Sequence, residues 1–190
     1  MRFSKRQIIL NNRRITRLPI LQLRNSVRYH LGAGSASGET RLNAFDRALL
    51  ASGCGNYNLL KVSSILPAGA VITGKIEIQE GSLLPVAYAR QIAGPGEWTG
   101  SPISAAVAVG VPRATDTVGV IMEYSGVCVE SDAREQVTSM IYTAMADRGI
   151  SEYDTIVQSS SCISSAEDFD CAFAYVALFE IDEDGGNAAE

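Results

Sequence analysis

Residues 38–67 read GETRLNAFDRALLASGCGNYNLLKVSSILP, and the reading of this stretch decides the fold. Its first half predicts a helix over Arg41–Ser52, with Leu42, Phe45 and Leu49 at helical spacing and Ala44 and Ala48 beside them. Thr40 can cap the start with its hydroxyl, and Gly53 can close the end in the left-handed conformation. The second half predicts a strand over residues 58–65, stopped by Pro67, which has no N–H to give to a ladder.

Upstream, residues 27–31 read as a short strand leading into the small-residue run GAGSASG at 32–38. That run resembles a phosphate cradle only superficially. No Lys-Ser or Lys-Thr pair follows it and the dinucleotide spacing is absent, so the expectation is a loop with turn-forming glycines. Downstream, strands are expected over residues 83–92, 104–111, 117–124, 155–160 and 171–181. The turn-rich AGPGEWTGSP separates the first two of these. A second helix over residues 132–148 turns Val137, Ile141, Ala144 and Met145 to one face, with Gly149 beyond its end. The last strand is apolar on both faces and should lie centrally in a sheet covered on both sides. The order is β-α-β-β-β-β-α-β-β without repeat or second core, hence one layered α+β domain.

Composition narrows the function classes. The chain has 190 residues, 46% of them hydrophobic and 19% charged, which suits a globular protein with a substantial core. No run approaches the length needed to cross a bilayer, and no secretory leader is visible, so a cytoplasmic location is expected. Cys54, Cys128, Cys162 and Cys171 are scattered without metal-ligand spacing, and His30 is the sole histidine. No metal site is therefore expected, and the thiols read as reduced and mostly buried.

The net charge of −5 hides an asymmetry: the first 28 residues hold eight Arg or Lys and no acid, the rest eight basic and 21 acidic residues. Residues 1–26 thus form a basic arm, 27–181 the domain, and 182–190 (DEDGGNAAE) an acidic tail expected to be disordered. An arm that docks on its own or a neighbouring subunit, or that stays floppy, is the expected reading. Nucleic acid, an acidic membrane or an organelle address are the alternatives.

Conventional catalytic sets fail here. A Ser-His-Asp or Cys-His arrangement would need His30, which sits in an apolar strand, and there is no GxSxG elbow. Ser63-Ser64 is by itself uninformative. Random placement of 19 serines gives about two adjacent pairs, and this chain has four. A serine hydroxyl can nonetheless attack the carbonyl before it where the backbone at Ser63 is strained, exchanging an amide for an ester. The plainer reading is two hydroxyls bonded to backbone in a buried strand.

Context reverses that balance. The run GET-x-LNAFD followed by GNxNLxxxSSxxP resembles the pyruvoyl-dependent arginine decarboxylases. The likeness continues through Leu84-Pro85-Val86-Ala87-Tyr88, Ile103-Ser104-Ala105-Ala106, Gly119-Val120-Ile121-Met122-Glu123-Tyr124 and Cys171-Ala172-Phe173-Ala174. It implies a four-layer αββα sandwich, self-cleaved between Ser63 and Ser64 into chains of residues 1–63 and 64–190. The implied assembly is a trimer with active sites between subunits.

The resemblance also implies site roles. A covalently bound pyruvoyl group derived from Ser64 is the cofactor, and arginine is decarboxylated to agmatine, a polyamine precursor. Glu123 matches the proton donor; it otherwise reads as a surface or interface carboxylate. Asp46 matches the carboxylate that holds the guanidinium, and otherwise reads as an exposed helix residue pairing with Arg47 or a neighbour. Asn58 matches a residue orienting the substrate, and otherwise a turn residue before a strand. Ser63, as a new C-terminus, would line the pocket.

Two departures bear on the substrate: Ala68 stands where a second proline is common, and Arg47 stands where a small residue is expected. The same chemistry on another amino acid, and a non-catalytic trimeric ligand-binding relative, are the rival readings.

Overall fold

The computed structural model describes residues 27–180. The basic arm and the acidic tail lie outside the described residues, as does residue 181. Eleven elements follow one another: β1 (Arg28–Gly38), α1 (Arg41–Ser52), β2 (Asn58–Lys61), β3 (Ile65–Leu66), β4 (Val71–Ile72), β5 (Leu83–Ala93), β6 (Pro102–Pro112), β7 (Gly119–Gly126), α2 (Glu130–Ala146), β8 (Tyr153–Ile163) and β9 (Phe169–Phe179). They build two sheets, ordered β2-β5-β9-β1-β4 and β3-β7-β6-β8, in a mixed α+β fold.

The ends of α1 are as its sequence indicates. Thr40 is extended, its Oγ1 accepts the Asn43 N–H at 3.1 Å, and Gly53 closes the helix with φ 88°. Its buried face is different from the expected one. Ala44, Ala48 and Ser52 are buried, Phe45 and Leu49 are half-buried, and Leu42 is 73% exposed. The reason lies in β1. Residues 32–38 form no loop but continue the strand, paired with β9 to its last residue. A Cβ on Gly32, Gly34 or Gly38 would stand 2.5–2.7 Å from Tyr175, Ser52 or Ala44 atoms, so the glycines let α1 press its small residues onto the sheet. They serve close helix-on-strand approach rather than a turn.

In α2, Ala133, Val137, Ile141, Ala144 and Met145 are buried, which includes all four residues expected there. Its N-cap, Val129, offers no side-chain bond, and Glu130 and Asp132 in the first turn favour the positive helix end instead. β9 is central, between β5 and β1, and its residues from Asp170 to Phe179 are all buried, as the apolar run indicates.

Three apolar clusters hold these elements together. Tyr29, Ala87, Ala174 and Val176 of the first sheet meet Ile103, Val107, Val109 and Ile121 of the second. Residues of α1 pack with Leu84, Val86, Phe173 and Tyr175 on the other face of the first sheet. Residues of α2 pack with Ala106, Ala108 and Val120. Full burial of each large side chain, Phe173 and Tyr175 among them, contributes about 1.5–3 kcal/mol.

Candidate active site

The expected continuous strand over residues 58–65 is broken in two. β2 runs parallel to β5 at one edge of the first sheet, and its last tie is the Val62 N–H on the Val86 carbonyl at 3.0 Å. β3 belongs to the other sheet, with Ile65 opposite Val120 and Leu66 opposite Gly119. Ser63 and Ser64 are therefore the two residues in which the chain passes from one sheet to the other. No single periodicity can describe them, because each half obeys a different sheet.

Three hydrogen bonds fix this crossover. The Ile121 N–H donates to the Ser64 carbonyl at 2.9 Å, and the Ile65 N–H donates to the Ser63 carbonyl at 2.9 Å. The Ser64 Oγ donates to Glu123 Oε2 at 3.0 Å. Strand alternation explains the last contact: Glu123 lies two residues from Ile121, so it shares the face that Ile121 packs into the core between the sheets. Ser125, two residues further on that face, donates from its Oγ to the Arg90 carbonyl of β5 at 2.9 Å. Glu123 and Ser64 are both half-buried, and Ser63 is exposed. Among the described residues only Trp98 combines a side chain with positive φ, so the expected strain at Ser63 does not take the form of a left-handed backbone.

Asp46 and Asn58 stand apart from this pair. Asp46 is exposed on α1, which packs on the first sheet, and no hydrogen bond joins it to Ser64 or Glu123. Asn58 is exposed at the start of β2, and its Nδ2 donates to the Gly81 carbonyl at 2.6 Å. Arg47, beside Asp46, is already occupied. It donates to the Ser37 carbonyl at 3.0 Å and pairs with Glu39 at 3.1 Å. Arg47 lowers the Glu39 carboxyl pKa, after a larger contribution from a backbone hydrogen bond.

Other nucleophiles are quiet. All four cysteines are free, and burial pushes the thiols of Cys54 and Cys162 up to about 11 and that of Cys171 up to about 12. Thiols so far above their ordinary range carry almost no thiolate near neutral pH. His30 Nδ1 lies 3.0 Å from the Thr73 carbonyl, and its ring sits beside Tyr175. It is a packed histidine with no hydrogen bond to Ser64 or Glu123. Among the described residues no group of His, Cys, Asp or Glu is arranged to hold a metal, and no helix is long and apolar enough to cross a membrane.

What the pattern of residue types could not reveal are the two backbone donors at the crossover, since any residue carries an N–H. The ion pair of Glu39 and Arg47, eight residues apart across a strand end and a helix, also lacked a sequence signal.

At the crossover a serine hydroxyl thus rests on a carboxylate, and the carbonyl before it accepts an N–H. The family model for pyruvoyl-dependent arginine decarboxylase matches residues 28–183. The chain belongs to the pyruvoyl-dependent arginine decarboxylase family. It is 43% identical over 149 residues to the pyruvoyl-dependent arginine decarboxylase of Methanocaldococcus jannaschii, covering 78% of this chain and 87% of that one. The decarboxylase of the same name from Methanococcus maripaludis is 38% identical over 149 residues, with 78% and 88% covered. That from Thermococcus kodakarensis is 42% identical over 123 residues, with 64% and 76% covered. Pyruvoyl-dependent arginine decarboxylases carry a covalently bound pyruvoyl group, and among the described residues Ser64 is the serine whose hydroxyl donates to Glu123.

Proposed function

We propose that the chain cuts itself between Ser63 and Ser64 and then decarboxylates L-arginine to agmatine and CO2. The observation that carries this reading is the hydrogen bond from Ser64 Oγ to Glu123 Oε2 at the crossover between the sheets. In the cut, Oγ forms a bond to the Ser63 carbonyl carbon, the bond from that carbon to the Ser64 nitrogen breaks, and the Oγ proton ends on the freed amine. Loss of the Ser64 α-proton then expels the Ser63 carboxylate and leaves dehydroalanine. Water converts this to the ketone and releases ammonia.

The two products would stay together. Residues 1–63 keep β1, α1 and β2, and β1 pairs with β9 over 11 positions while β2 pairs with β5 over four. In this reading the domain is an αββα sandwich of four layers, with α1 and α2 outside the two sheets.

When present, the pyruvoyl ketone supplies the electron sink that side chains cannot. Glu123, which meets residue 64 in the uncut chain, is placed to deliver a proton to the substrate carbon that has lost CO2. Asp46 offers the planar guanidinium a carboxylate, a pairing favoured by two parallel bonds. Asn58 keeps its Oδ1 for orienting the substrate, and the new Ser63 carboxylate lines the pocket. No hydrogen bond joins Asp46 to Glu123 within one chain, and in this reading a trimer lets neighbouring subunits complete each site.

Intact-mass analysis of the purified protein should show residues 1–63 and 64–190 as separate masses, and CO2 release should be fastest with arginine among arginine, lysine, ornithine and histidine. A persistent full-length mass would remove the enzyme reading in favour of a binding relative. A better substrate than arginine would redirect it.

Arg47 bears on that choice of substrate. Tied to Glu39 and the Ser37 carbonyl, it leaves the Asp46 carboxylate to the substrate. Glu39→Ala should free the guanidinium from its carboxylate and raise the KM for arginine by about two- to fivefold at low salt, with kcat unchanged, the range of one exposed ion pair. Steady-state kinetics with Glu39→Ala and with the double variant that adds Arg47→Ala would check it, the second restoring KM.

A further inference from the structure

We infer that the Ile65 N–H is the oxyanion donor of the self-cleavage, an inference that rests on the proposed cut between Ser63 and Ser64. Ile65 N–H reaches the Ser63 carbonyl oxygen at 2.9 Å, closing a three-residue turn centred on Ser64. Because Ser64 has no positive φ, this turn is of the inverse kind, common where a strand begins. The carbonyl that accepts the bond is the one the Ser64 hydroxyl must attack.

The ladder explains why this donor is available. Ser64 turns its carbonyl to β7, where the Ile121 N–H takes it. Along an antiparallel pair the polar groups face the partner at alternate residues, so those of Ile65 point away from β7. The Ile65 N–H is thus left out of the sheet and falls back on Ser63. Ser64 is clamped by Ile121 on its carbonyl side and by Glu123 on its hydroxyl, with the scissile carbonyl polarised from the Ile65 side.

When Oγ bonds to the Ser63 carbonyl carbon, the carbonyl electrons move onto the oxygen and the Oγ proton leaves. A donor already aimed at that oxygen gains strength as the negative charge develops and needs no rearrangement. Collapse of this species returns the electrons, breaks the bond to the Ser64 nitrogen and places the proton on the amine.

The test replaces Ile65 in the full chain by its α-hydroxy acid, which keeps the side chain and deletes only the N–H. Ile65→Val, which retains the N–H, is the control. Cleavage of freshly purified precursor is followed by intact mass at constant pH, with thermal melting of each protein as the readout of folding. Hydrolysis of the new backbone ester would cut after Ser64 instead of after Ser63, so the two products differ in mass. The hydroxy-acid variant should melt like the control yet cleave about 100-fold more slowly or less, the loss typical of one oxyanion donor. Cleavage at the control rate would overturn the inference and leave the self-cleavage reading intact. If the unmodified chain and the control also stay uncut, the self-cleavage reading falls, and the inference falls with it.

Discussion

Ser64→Ala is expected to yield one uncut chain of full mass with no measurable decarboxylase activity. The substitution deletes the only atom of residue 64 able to attack the Ser63 carbonyl, so no ester, no new chain end and no ketone can form. The fold should survive. Ser64 is half-buried and its side chain makes a single hydrogen bond, to Glu123, whose loss costs on the order of 1 kcal/mol. Both backbone ties of the crossover, from Ile121 and Ile65, remain. Ser63→Ala separates chemistry from context. Ser63 is exposed and its hydroxyl has no part in the proposed acyl shift, so that variant should still be cut. Intact mass, CO2 release and thermal melting of the two variants check this. A Ser64→Ala protein that still divides would place the cut elsewhere.

Glu123→Gln should divide the two proposed stages, self-cleavage and turnover. The glutamine amide oxygen can still accept the Ser64 hydroxyl in the position of Oε2, so the cut should proceed, more slowly than in the parent. An amide cannot deliver the proton that turnover requires, and loss of a positioned general acid lowers turnover by about 10²–10⁴-fold. The expected result is two chains of the correct mass, still associated through β1 and β9, with kcat collapsed. Turnover near the parental rate would remove Glu123 from proton transfer. An uncut variant would assign it to the first stage instead, as the base for Ser64.

The local signals in residues 38–67 were legible where one residue type does one local job. Thr40 caps α1 and Gly53 ends it because a hydroxyl and a missing Cβ act within one turn of chain. The wholly apolar run from residue 171 placed β9 centrally, because only a strand covered on both faces can be so free of polar residues. Residues 32–38 were misleading for the opposite reason. Glycine marks a turn or a close approach equally well, and only Tyr175 and α1, distant in sequence, select the second. Leu42 likewise keeps helical spacing with Phe45 and Leu49, yet the close approach of α1 to β1 gives the buried face to alanines.

By itself the sequence determined the α+β class, the ends of α1, the central strand and, through its likeness to a family, the residues expected at the site. Tertiary structure decided that Ser63 and Ser64 span two sheets, that Glu123 meets Ser64, and that Ile121 and Ile65 supply the N–H groups around them. The physical reason is that backbone donors have no residue-type signature. Their use depends on which strand lies alongside, and that is settled only when residues 59 positions apart come into contact.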